Sequence, residues 1–108
     1  MIKIDIFKSN GRIVKAEMDG HSGYSDGDDI VCAAVSSVSH AVLNGMEKLA
    51  NITFGYEVGD GYLFFVLPDD MNSRQMEDAE LLTNTFLLFA KSLEKQYPDY
   101  VRVTELEV

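Results

Sequence analysis

The chain opens with apolar and polar residues in alternation: Ile2, Ile4 and Ile6 share one parity, Lys3 and Asp5 the other. A period of two is the mark of a half-buried strand. Asn10-Gly11 follows, a pair suited to the left-handed backbone of a two-residue hairpin turn. Val14, Ala16 and Met18 then alternate with Lys15, Glu17 and Asp19, which predicts two antiparallel strands. From about Asp29 to Ala50 the period changes. Ile30, Val31, Ala34, Val35, Val38, Ala41, Val42, Met46 and Leu49 recur at helical spacing, with Asp28 or Asp29 as N-cap.

Residues 51 to 67 predict a second hairpin, in which Ile52, Phe54, Tyr56 and Val58 share a face and Gly59-Asp60-Gly61 turns the chain. Tyr62 to Leu67 is apolar on both faces, as in a central or covered strand. Pro68, Asp69 and Asp70 introduce a second helix to about Tyr97, with a stripe of Met76, Ala79, Leu82, Phe86, Phe89 or Ala90, Leu93 and Tyr97; Pro98 ends it. The tail DYVRVTELEV is strand-like. Its Val101 and Val103 have opposite parity to Leu106 and Val108, which predicts a change of buried face or a bulge. The order ββαββαβ, with helices apolar on one side only, predicts a two-layer α/β sandwich: one domain over residues 1–108, both helices on one face of a mixed or antiparallel sheet.

Composition narrows the classes of function. The chain is 46% hydrophobic and 25% charged without low-complexity runs, as an ordered globular protein is. Eighteen acidic residues against nine basic ones give a net charge of −9, spread along the length. Such a field repels phosphate backbones and anionic membranes and favours a basic protein or peptide partner. A single cysteine excludes an intramolecular disulfide, and MIKIDIFKSN lacks a signal peptide's apolar segment, so a cytoplasmic setting is expected.

That cysteine lies in GHSGYSDGDDIVCAAVSS, where a polar, glycine-studded loop becomes the first helix. With Asp29 as N-cap, Cys32 falls in the first turn, where unpaired N–H groups and the positive end of the helix dipole favour a thiolate and offer donors to an oxyanion. Asp28 and Asp29 oppose this by like charge, unless the Asp29 carboxylate is turned into capping hydrogen bonds. His21 precedes a loop long enough to fold back on Cys32. His40 lies eight residues after Cys32, about 12 Å along the helix and too far for direct proton transfer, and reads as a helix-surface or core-edge residue. From spacing alone Cys32 reads first as a small core residue beside an Ala-Val stripe, and second as a nucleophile served by His21. One Cys and two His cannot close a zinc site, and Asp26, Asp28 and Asp29 lack the spacing of a calcium loop. No metal and no cofactor is expected.

As a string, GHSGYSDGDDIVCAAVS closely resembles the segment GHAxxxxxGxDIVCAAVS of the ribosomal-processing cysteine protease family, Prp. Gly20, His21, Gly27, Asp29, Cys32 and Ser36 match its marked positions. The resemblance extends to the opening MIKIDIF, the GDGYLFF hairpin and LEKQYPDYVRV, covering essentially the whole chain. It implies a small α/β homodimer and a cofactor-free cysteine endopeptidase that removes the N-terminal extension of a large-subunit ribosomal protein. Cys32 would be the nucleophile and His21 the base, with Asp29, Ser36, Gly20 and Gly27 supporting them. The chain departs from the pattern at Ser22, where the family has alanine, and in the loop from His21 to Gly27, one residue shorter. Two other classes fit the same thiol: a noncatalytic module for ribosome assembly or ribosomal-protein binding, and a thiol redox sensor.

Overall fold

The computed structural model describes all 108 residues. Asn10 and Gly11 take the left-handed backbone that the turn demands, at φ 53° and 79°, and join β1 (Ile2–Ser9) to β2 (Arg12–Asp19) as an antiparallel pair. The pair is not regular throughout. Phe7 opposes Lys15 while Lys8 opposes Ile13, so Val14 is an extra, bulged residue on β2. The bulge moves Ile13 into the core and leaves Val14 half-buried, a correction to the predicted parity, and the Val14 carbonyl accepts from the Leu67 N–H at 2.9 Å.

The segment 30–49 is helical as expected, but in two parts. A helix, α1 (Ile30–Asn44), runs into a single π-helical turn at Gly45–Leu49, closed by the Ala50 N–H on the Gly45 carbonyl. Asn51 at φ 55° stops the helix, and the Ile52 N–H is spent on the Met46 carbonyl. Ile52 is therefore a buried residue of the helix exit, and β3 begins later than predicted, spanning Gly55–Gly59. Ile30, assigned to the apolar stripe, is exposed; Val31, Val35, Val42, Leu43 and Met46 carry the buried face. Ser39 joins them, its hydroxyl bonded to the Val35 carbonyl.

The strand β4 (Tyr62–Val66) lies between β3 and β2, as its two-sided apolarity predicts. The second helix, α2 (Ser73–Gln96), starts later than Pro68–Asp70 because Asn72 caps it: the Asn72 side chain accepts from the Gln75 N–H and the Gln75 side chain accepts from the Asn72 N–H. Its buried face is Ala79, Thr83, Phe86, Leu87, Ala90 and Leu93, with Met76, Leu82 and Phe89 half-buried. The last strand, β5 (Val101–Glu107), runs parallel to β1 in unbroken register from Ile2 against Val101 to Lys8 against Glu107. No bulge repairs its parity. Leu106 stays exposed, and the irregularity sits in the first hairpin instead.

The result is a five-stranded mixed sheet, β3-β4-β2-β1-β5, with both helices packed against it. Ile2, Ile4, Ile6, Ala16, Met18, Leu63, Phe65 and Val101 meet the helices on its covered face. With β2 at the centre, its C-terminal end emerges beside the β3–β4 turn, and the loop 20–29 crosses from there to the start of α1.

Candidate active site

Gly20 leaves β2 at φ 102°, and a Cβ there would run into the Met1 carbonyl, so only glycine fits. Its N–H donates to the Gly61 carbonyl at 2.8 Å, which pins the loop's first residue to the β3–β4 turn. His21 comes next, and its imidazole lies flat against Gly61, so close that a Cβ on Gly61 would sit 2.7 Å from Nε2. Nε2 is 3.8 Å from the Asp60 carboxylate.

At the loop's other end Asp29 caps α1, as its position predicts. Its Oδ1 accepts from the N–H groups of Val31 at 3.0 Å and Cys32 at 2.9 Å. Its Oδ2 accepts from the Ser22 hydroxyl. These bonds, the Ser22 hydroxyl first and the Cys32 N–H next, hold the carboxyl at about 2, below its usual 3.8. The carboxylate is thus turned into capping bonds. The same capping corrects a second expectation: the N–H groups of Val31 and Cys32 are taken by the Asp29 side chain and that of Ala33 by the Asp29 carbonyl, so they are not open to an oxyanion.

Cys32 is half-buried in that first turn, packed against the core yet open to a cleft of about 360 Å³. Sγ accepts a hydrogen bond from the Ser22 N–H at 3.3 Å. The cleft is bounded by α1, the end of β2 and the β3–β4 turn, and His21, Gly20, Ser36 and Gly61 share it with Cys32. The fold therefore brings together four of the residues singled out in the sequence, with the imidazole resting on Gly61 and the sulfur held by Ser22. Ser36 stands one turn beyond Cys32; its carbonyl accepts from His40 Nδ1 at 2.7 Å. His40 is exposed, as read, but also lines the cleft. Gly27 is exposed, with a negative φ and room for a side chain, so the backbone gives no steric reason for glycine there.

Sequence reasoning missed Gly61, Asp60 and Tyr24. Gly61 and Asp60 were visible only as a turn. Tyr24, from the loop, sets its ring edge-on against Tyr97 and Tyr100 at centroid distances of 5.5 and 5.3 Å, fastening the loop to the α2–β5 corner. No group of His, Cys, Asp and Glu is arranged to hold a metal ion.

Comparison with known proteins identifies the family. The family model described as cysteine protease Prp matches residues 1–102. The ribosomal processing cysteine protease Prp of Bacillus subtilis is 31% identical over 108 residues, covering 96% of each chain. Among solved structures, the ribosomal processing protease Prp of S. aureus with a covalently linked product peptide superposes with a TM-score of 0.87 at 28% identity, over 97% of this chain and 99% of that one. The same S. aureus protease with a substrate peptide gives 0.83 at 26%, again over 97% and 99%. A protein of Streptococcus mutans gives 0.85 at 29%, over 100% and 99%. With one fold, one thiol and a matching model over nearly its whole length, the chain belongs to the Prp family of cysteine proteases.

Proposed function

We propose that the protein is a cytoplasmic endopeptidase that removes the N-terminal extension of a large-subunit ribosomal protein, with Cys32 as nucleophile and His21 as base. The observation that carries this reading is that the chain's sole thiol and His21 open on one cleft, in a chain similar to a protease crystallised with a covalently linked product peptide. Sγ attacks the scissile carbonyl as His21 takes the thiol proton. The C–N bond breaks with that proton passing to the leaving amine, leaving a thioester on Cys32. Water, deprotonated by His21, then hydrolyses the thioester and frees the enzyme.

Incubation with a synthetic peptide spanning the precursor extension, read by mass spectrometry, tests this. Cleavage should disappear in both Cys32→Ala and His21→Ala, and cleavage surviving in Cys32→Ala would refute the mechanism. One observation favours a noncatalytic ribosomal-protein-binding module instead: the imidazole rests on Gly61 and does not hydrogen-bond Sγ. Binding of the same peptide by the unmodified protein without cleavage would establish that reading. The homodimer is a further part of the proposal, read by light scattering.

A further inference from the structure

Three of the donors that a helix start ordinarily offers are taken here, since Asp29 occupies the N–H groups of Val31, Cys32 and Ala33. The N–H that does reach Sγ belongs to Ser22, ten residues earlier in sequence and on a loop. A loop amide holds such an aim only if something fixes the backbone around it. Part of the fixing comes from the His21 carbonyl, in the same peptide unit as the Ser22 N–H, which accepts from the Met1 N-terminus. The rest comes from the Ser22 side chain, which is buried. Its hydroxyl donates to Asp29 Oδ2 and accepts from the Tyr24 N–H at 3.1 Å. One residue thus ties the loop to the helix cap and directs its own N–H at the sulfur.

We propose that Ser22 is a positioning residue for the reaction: its hydroxyl, anchored on Asp29, holds the Ser22 N–H at Cys32 Sγ as the hydrogen-bond donor to the thiolate that attacks the scissile carbonyl. The inference rests on Cys32 being the nucleophile. Because Asp29 Oδ1 caps α1 without help from Ser22, the tether acts on alignment and not on the existence of the helix. The hydroxyl is also the first cause of the low pKa of the Asp29 carboxyl, which makes the tether visible independently of turnover.

The test compares the parent with Ser22→Ala, Asp29→Asn and the double variant, on the peptide spanning the precursor extension. Asparagine keeps the helix cap. In Ser22→Ala, kcat should fall about five- to tenfold, the effect of losing one ordinary hydrogen bond, with KM within about twofold and melting close to the parent. The double variant should be no slower than the slower single variant, because both act on the same contact. By NMR, the Asp29 carboxyl should titrate nearer 3.8 in Ser22→Ala than its parent value of about 2. An unchanged or faster kcat, multiplicative effects in the double variant, a kcat loss that merely follows lost thermal stability, or an unmoved Asp29 titration would each overturn the proposal. Cleavage persisting in Cys32→Ala refutes the nucleophile assignment separately, and the Asp29 titration then still decides whether the tether exists.

Discussion

Gly61→Ala separates the cost of strained backbone from the cost of misplaced chemistry. Gly61 has φ 67°, a left-handed conformation that costs an alanine about 1–2 kcal/mol. With an unfolding entropy of about 2.1 cal/mol/K per residue, that strain lowers the melting temperature of this chain by roughly 4–9 °C. The new Cβ would also lie 2.7 Å from His21 Nε2, 3.1 Å from Cε1 and 3.2 Å from Cδ2. Ordinary contact is about 3.5–4.0 Å, so the ring must withdraw by roughly 0.8–1.3 Å. The imidazole is the exposed end of a flexible side chain and can withdraw at little cost in stability. Alignment is what it loses, and a displacement of about 1 Å at a catalytic group costs up to about a hundredfold in rate. Gly11→Ala is the control: φ is 79° and a Cβ there meets nothing within 4 Å. The two variants should therefore melt alike by calorimetry, while peptide cleavage falls about 10–100-fold in Gly61→Ala and stays at the parental rate in Gly11→Ala. Equal kcat in both variants would refute the reasoning, because it would mean that His21 does not work from its seat on Gly61.

Three further outcomes are expected. The Asp29 carboxyl is depressed from 3.8 to about 2, so it stabilises the fold above pH 3.8 and that contribution is lost as pH falls through 2. Asp29→Asn should show a shallower loss of circular dichroism in that window, and an identical slope would contradict this. Tyr24→Ala removes two edge contacts worth about 0.5–1.5 kcal/mol each, so limited proteolysis within residues 20–29 should speed about tenfold and the melting temperature should fall by roughly 4–13 °C; an unchanged digestion rate would show that the loop is held elsewhere. A net charge of −9 should draw a lysine-rich substrate, so raising ionic strength from about 0.05 to 0.5 M should raise KM and leave kcat unchanged, and a salt-insensitive KM would remove any role for the acidic surface.

The parts of the fold legible in the sequence are those whose causes are local. Alternation around Ile4 and Ile6, the Asn10-Gly11 turn and the Asp29 cap each depend on neighbours within a few residues, and each stands as read. The departures arise where a distant partner decides. Val14 is bulged on β2, which pairs with β1 on one side and β4 on the other, and the tail lies in unbroken register on β1. The exit of α1 widens into a π-turn at Gly45, where α2 brings Leu82 within 3.5 Å of the place a Cβ would occupy. Thr83 enters the core of α2 although polar, because its hydroxyl bonds the Ala79 carbonyl and leaves a methyl to pack.

The site divides along the same line. Cys32 in the first helical turn is a local fact, and the family pattern marked His21 beside it. Where His21 rests is not local: it depends on Asp19 pairing with Tyr62, which carries the β3–β4 turn to the end of β2 and sets Gly61 under the imidazole. Ser22 showed in the sequence only as a departure from the family's alanine, and its meaning needs Asp29 at hydrogen-bonding distance. Glycines at 20 and 23 state that the backbone is free to adopt unusual conformations. Which conformation it adopts is selected from outside, by Gly61 at one end, Asp29 at the other and the Tyr97–Tyr100 slot between them. A change at any of these anchors should therefore reach Cys32 and His21 through the loop, even where it touches neither side chain.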